Sequence, residues 1–246
     1  MPAVFVHGVP DTFRVWDPLR KHLSRQDVVA LALPGFNAPL PTNFTATKEE
    51  YANWIIRQLE EIGEPVDLVG HDWGCILTMR VATRRPDLIR SWAAGSGPVS
   101  AKYEWHPLAK IWQTSGEGEK WFKELDPASV AALMVEAGLP IDSAEEAVSH
   151  IDQTMGECIL HLYRSALQVG KEWQPDLSKL RSPGLVFWGA QDTACPAEYA
   201  DELASNAGAD REVRLDAGHW PIVERSVQVA EALEAHWKSA NKQLSN

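Results

Sequence analysis

The chain has 246 residues, 45% apolar and 23% charged, a size and balance that suit one globular α/β domain carrying an insertion. Its net charge of −11 disfavours nucleic acid and anionic membranes as partners, because both are held by clustered lysine and arginine. Cys75, Cys158 and Cys195 form no Cys-x-x-Cys pair, no apolar run nears membrane-spanning length, and Met1-Pro-Ala-Val-Phe-Val-His-Gly lacks a signal peptide's basic region, so cytoplasmic residence is the expectation and no disulfide framework is.

In chain order, Ala3–Val6 reads as a strand, residues 16–23 as a helix, and 28–33 as a second strand ended by Pro34-Gly35. Lys48–Ile62 has helical spacing, with Tyr51, Ile55, Leu59 and Ile62 on one face, and Thr47 with Glu50 makes a capping box. Residues 66–69 predict a strand, 76–85 a helix stopped by Pro86, and 89–94 another strand. Residues 97–181 break the rhythm: Gly97-Pro98, several aromatics and helix-like stretches at 128–137 and 159–169, with no strand pattern before Gly184. Strands at 185–188 and 212–215 and a long helix at 223–237 resume it. This alternation predicts an α/β fold with a mostly parallel sheet flanked by helices on both faces. Residues 1–96 and 182–246 would form the core, and 97–181 a helical cap over the carboxyl ends of the strands, where open α/β sheets place their sites.

Four motifs each follow a strand and so belong at one sheet edge. They are His7-Gly8-Val9-Pro10, Gly70-His71-Asp72-Trp73-Gly74, Trp188-Gly189-Ala190-Gln191-Asp192, and Asp216-Ala217-Gly218-His219-Trp220-Pro221. The second has the form of a nucleophile elbow, a strained strand-to-helix turn that needs glycines for close backbone approach. An aspartate stands at its centre. Asp before a helix is also a common N-cap, so the motif alone does not decide. The order Asp72, Asp192, His219 does favour chemistry, since it follows the sequence nucleophile, acid, base. Asp192, unlike Asp176 or Asp201, sits immediately beyond a strand. The remaining histidines (His22, His106, His150, His161, His236) show no ligand spacing, so no metal or cofactor is inferred.

Together these motifs resemble the α/β-hydrolase superfamily, in its aspartate-nucleophile branch of epoxide hydrolases and haloalkane dehalogenases. The resemblance implies that Asp72 attacks substrate carbon, that His219 activates the water that cleaves the resulting ester, and that Asp192 orients His219. It places the oxyanion N–H donors at Val9 and Trp73, and gives His7 and His71 structural roles, hydrogen-bonded to loop backbone. The superfamily sheet often has two further strands before the His-Gly loop, whereas this sequence starts inside the strand that carries it; the expectation is either a shorter sheet of about six strands, whose edge could favour a homo-oligomer, or a truncated N-terminus.

Substrate and water are the implied partners, the substrate being a small apolar electrophile, an epoxide or an alkyl halide. His161-Leu162-Tyr163-Arg164 is similar to the epoxide branch's Trp-Tyr-Arg-Asn segment and makes Tyr163 the candidate lid acid. Lys110-Ile111-Trp112-Gln113 stands where that branch has Tyr-Phe-Gln, so a second lid tyrosine is missing and Tyr103 is the substitute considered. Trp112 with Trp73 offers two indole N–H donors, the halide-binding pattern of some dehalogenases. Val9 and His71 favour the epoxide reading over the halide one. A non-enzymatic receptor on the same fold is the third reading.

Overall fold

The structure is a computed structural model and describes residues 1–243. Six parallel strands form one sheet in the order β2-β1-β3-β4-β5-β6: β1 (Ala3–Val6), β2 (Val28–Leu31), β3 (Val66–His71), β4 (Ile89–Gly95), β5 (Gly184–Gly189) and β6 (Arg211–Leu215). Parallel strands need crossovers, and the helices that supply them cover both faces. Alternate residues therefore all find apolar neighbours. Val4, Val6, Leu68, Val186 and Trp188 pack in the core shared with α2 (Lys48–Ile62), α3 (Trp73–Arg84) and α10 (Glu198–Ala207). Ala3, Phe5, Val69, Leu185 and Phe187 pack on the other face with Leu19, Leu233 and Trp237, from α1 (Asp17–Arg20) and α12 (Ser226–Gln243). Two-sided burial explains why the strands read as continuous apolar runs.

The chain leaves β1 toward β2 on one side and returns to β3 on the other, so the switch point lies between β1 and β3. Their carboxyl ends carry the His-Gly loop and the elbow. The elbow is tight: a Cβ on Gly74 would lie 1.9 Å from the Val6 carbonyl oxygen, and Asp72 itself is held at φ 54°, ψ −123°. The Asp72 N–H donates to Gly95 O at 3.0 Å, which ties the turn to β4.

Several boundaries differ from the sequence expectation for local reasons. Residues 16–23 are not one helix. A 3₁₀ turn, Phe13–Trp16, is capped by Thr12, and the short α1 follows with Pro18 in its first turn, where a missing N–H costs nothing. Helix α3 starts at Trp73, three residues before the expected start at 76, because Gly74 interrupts the apolar spacing but not the helix. The 159–169 stretch is instead α8 (Gln153–Ser165), begun early by the Asp152 carboxylate accepting from Met155 N at 2.8 Å, followed by α9 (Val169–Trp173). The 223–237 helix is two: α11 (Pro221–Glu224) and α12, broken at Arg225 with φ −131°. Thr47 Oγ1 does accept from Glu50 N, at 3.4 Å.

Between β4 and β5 the chain is helical, adding α4 (Pro107–Gln113), α5 (Glu117–Lys123), α6 (Pro127–Glu136) and α7 (Ile141–Ser149) to α8 and α9. Val130, Met134, Ala144 and Val148 of α6 and α7 form a small core with Trp220. Among the described residues no helix is long and apolar enough to cross a membrane.

Candidate active site

The loops after β1, β3, β5 and β6 meet at one edge and bring Val9, Asp72, Asp192 and His219 together. Asp72 Oδ1 accepts the Val9 N–H at 2.8 Å, and the Trp73 N–H supports the same carboxylate. Gly8 permits this approach, since a Cβ there would sit 2.3 Å from Oδ1. Oδ2 lies 3.5 Å from His219 Nε2, within ion-pair range but longer than a good hydrogen bond. On its other side His219 Nδ1 donates to Asp192, 3.0 Å from Oδ2 and 3.1 Å from Oδ1. Asp192 Oδ1 also accepts from Ala194 N (3.0 Å) and Cys195 N (2.8 Å), so the carboxylate is fixed by main chain.

The His219 backbone is pinned twice. Its N–H donates to Ala137 O, just beyond α6, at 2.8 Å, and its carbonyl accepts from His71 Nε2 at 2.7 Å. His7 accepts from Leu33 N at 3.2 Å through Nε2, which leaves Nδ1 to donate to Gly8 O at 2.8 Å. Burial pushes both His7 and His71 down to about 4, so each is a neutral loop clamp at ordinary pH.

Electrostatics couple the three buried groups. Burial opposes charge on His219, but the Asp192 and Asp72 carboxylates outweigh it and hold the imidazole well above its usual value. Burial likewise opposes charge on Asp72, and His219 reverses it, leaving the carboxyl below the ordinary aspartate range. The sequence did not mark Asp11. It is buried and accepts the Trp220 indole N–H at 3.0 Å, and burial lifts its carboxyl to about 7. Trp220 in turn packs edge-on against His219, with centroids 4.7 Å apart.

Asp72 and His219 open onto a cavity of about 370 Å³ whose walls include Trp73, Trp105, Trp112, Trp121, Met134 and Tyr163. No lysine or arginine lines it among the described residues. Tyr163, on α8, is wedged between Trp73, Trp105 and Trp112 at centroid distances of 5.3, 5.3 and 4.9 Å. Burial, then the Asp72 charge, raise its phenol well above 10, so it holds its proton. The indole N–H groups of Trp73 and Trp112 are buried without a hydrogen-bond partner among the described residues. Tyr103 also lines the cavity, but its hydroxyl donates to Ala194 O at 2.9 Å and is thereby occupied.

Two further residues complete the wall. Cys195, in the loop beside Asp192, lies with Asp192 and His219, their donor atoms within 4.8 Å of one another. Burial raises its thiol well above the usual value, which makes it a poor metal ligand as it stands. His106 lines the cavity and caps α4, Nδ1 accepting from Ala109 N at 3.2 Å. The signal was present in Pro107, which marks a helix start and so makes the preceding residue a cap.

Residues 3–232 match the model of the alpha/beta hydrolase family. An uncharacterized hydrolase of Saccharomyces cerevisiae is 25% identical over 94% of this chain and 87% of its own length. Epoxide hydrolase 2 of Siraitia grosvenorii is 33% identical over 98 residues, 37% of this chain and 30% of that protein. A thermophilic esterase from Thermogutta terrifontis superposes with a TM-score of 0.80 at 21% identity, covering 98% of this chain and 90% of that one, a likeness of fold. The chain belongs to the alpha/beta hydrolase family.

Proposed function

We propose that this hydrolase opens an epoxide to a vicinal diol through an ester on Asp72, with residues 97–181 as a cap over a core of residues 1–96 and 182–246. One observation carries the reading. A single carboxylate has one oxygen on the Val9 N–H and the other beside an imidazole bonded to a second buried carboxylate, all facing an aromatic cavity. Apart from Asp72 and His219, the described lining carries no ion, which suits a neutral substrate better than an anionic haloacid.

Asp72 Oδ2 attacks an epoxide carbon, the ring C–O bond breaks, and its electron pair goes to the ring oxygen, which takes the Tyr163 proton. The ester's carbonyl oxygen is then Oδ1, already against the Val9 N–H, and with the Trp73 N–H that supports the same carboxylate this donor would stabilise the oxyanion. Esterification removes the Asp72 charge, one of the two that keep His219 protonated. The imidazole pKa falls, its proton is released to water, from which the Tyr163 phenolate regains one, and it becomes a base at the moment one is needed. Water loses a proton to His219 and adds to the acyl carbon. Collapse releases the diol, the departing alkoxide taking the proton of the new carboxyl group, so that Asp72 regains its charge and His219 is left protonated as it began.

The unpartnered indoles of Trp73 and Trp112 favour dehalogenation as the second reading, with halide as leaving group. Tyr163 packed against both rings weighs toward the epoxide. The test is trapping. His219→Gln incubated with a styrene-oxide-type epoxide should gain the epoxide's mass on the peptide containing Asp72. An adduct with bromoalkanes alone, with halide released, would move the assignment to dehalogenation. No adduct with either class would leave the receptor.

A further inference from the structure

We infer that His106 is the second hydrogen-bond donor to the substrate oxygen, standing in for the lid tyrosine that Trp112 displaces; this rests on the epoxide reading above. Three observations carry it. His106 lines the same cavity as Asp72, His219 and Tyr163. Its tautomer is fixed by the helix it caps. The Ala109 N–H donates to Nδ1 at 3.2 Å, so in the neutral ring Nδ1 is the acceptor and the proton sits on Nε2. And the ring shares a neighbour with Tyr163: both stand edge-on to Trp112, with centroids 6.4 and 4.9 Å from it.

The distal N–H therefore belongs to a ring in the cavity wall, and among the described residues it makes no hydrogen bond of its own. The other lid phenol is occupied, since Tyr103 donates to Ala194 O. A cap residue is also well placed for precision, because the helix holds it rather than a mobile side-chain contact. In ring opening His106 transfers no proton. Nε2–H donates a hydrogen bond to the epoxide oxygen as negative charge gathers there, while Tyr163 supplies the proton. The same bond orients the ring for attack by Asp72 Oδ2.

Two substitutions separate the donor from the cap. His106→Asn keeps an oxygen where Nδ1 accepts from Ala109 but removes the distal donor. His106→Gln keeps an N–H near the Nε2 position but loses the cap acceptor. Each is placed in the His219→Gln background, and the rate of ester formation on Asp72 is followed by mass spectrometry with a styrene-oxide-type epoxide. The expected result is a fall of about 100-fold for His106→Asn, the loss typical of one oxyanion donor, and a smaller fall for His106→Gln. Equal rates in all three proteins, or equal losses in both substitutions, would overturn the role of His106 and leave the ester mechanism standing. Failure of His219→Gln itself to form the ester would overturn the epoxide reading, and this inference with it.

Discussion

The two walls of the cavity are built differently. On the strand side, the carboxylates of Asp72 and Asp192 accept main-chain N–H groups, and His219 is held by its own backbone as well as by its ring. On the helical side, Tyr163 and Trp112 are held by ring packing, and the Trp112 N–H has no partner among the described residues. Backbone bonds fix position within a few tenths of an ångström; ring contacts fix shape but tolerate repacking. On the proposed reading, the strand wall holds the nucleophile, base and orienting acid rigidly, and the helical wall shapes what fits and donates to the substrate oxygen. Hydrogen bonds from His219 N–H to Ala137 O and from the Tyr103 hydroxyl to Ala194 O tie the two walls together.

The sharpest way to break this division is Asp72→Asn. Asparagine keeps the shape and tolerates φ 54° nearly as well as aspartate, so the fold should survive. Turnover should fall by about 10⁴-fold or more, as when a nucleophile is removed. Diol formation and thermal melting, measured on the same preparation, check both halves. Turnover near the parent's would show that the strand wall does not make the bond.

The strand wall was also the legible one. Its motifs sit directly after apolar runs, and strand ends in a parallel sheet are forced to one edge, so short sequence spacing became spatial proximity. The structural roles of His7 and His71 came with the resemblance that carries those two motifs. The helical wall was not legible. Its residues come from α4 and α8, more than forty positions apart, and their meeting depends on how helices pack rather than on any local period. Tyr163 was found by resemblance, Tyr103 was proposed without sight of its bond to Ala194, and His106 and Asp11 were passed over. Buried polar residues that serve as caps or as indole acceptors leave little trace in an apolar pattern.

Tyr163→Phe tests the helical wall more gently. The ring and its three aromatic contacts remain, so melting should shift little. Ester formation should slow by about 100-fold, the scale of losing a general acid, while hydrolysis of ester already formed should be unchanged. Stopped-flow or quench measurements of the two steps separate them. Equal slowing of both steps would make Tyr163 a packing residue instead of an acid.

The smallest catalytic effect should come from Asp11→Asn, on the strand side but outside the cavity lining. Its consequence is for stability. Burial lifts the Asp11 carboxyl from 3.8 to about 7 in the folded chain. Between those values the folded protein keeps a proton that the unfolded chain has lost, so this group's contribution declines as pH rises through that window and levels off above it. Asparagine carries no charge at any pH and retains an oxygen for the Trp220 N–H. The substitution should thus raise the melting temperature at about pH 8 by about 5 °C or more and leave it nearly unchanged at about pH 4. Comparing parent and variant at each pH largely removes the slope of the same sign from His219, whose raised pKa stabilises the fold at low pH and stops doing so as pH climbs through its folded value. A melting difference that did not vary with pH would mean that Asp11 acts only as a hydrogen-bond acceptor. Turnover within about threefold of the parent would keep it out of the chemistry, whereas a large loss would mean that Trp220, which it holds against His219, must be fixed by a charge.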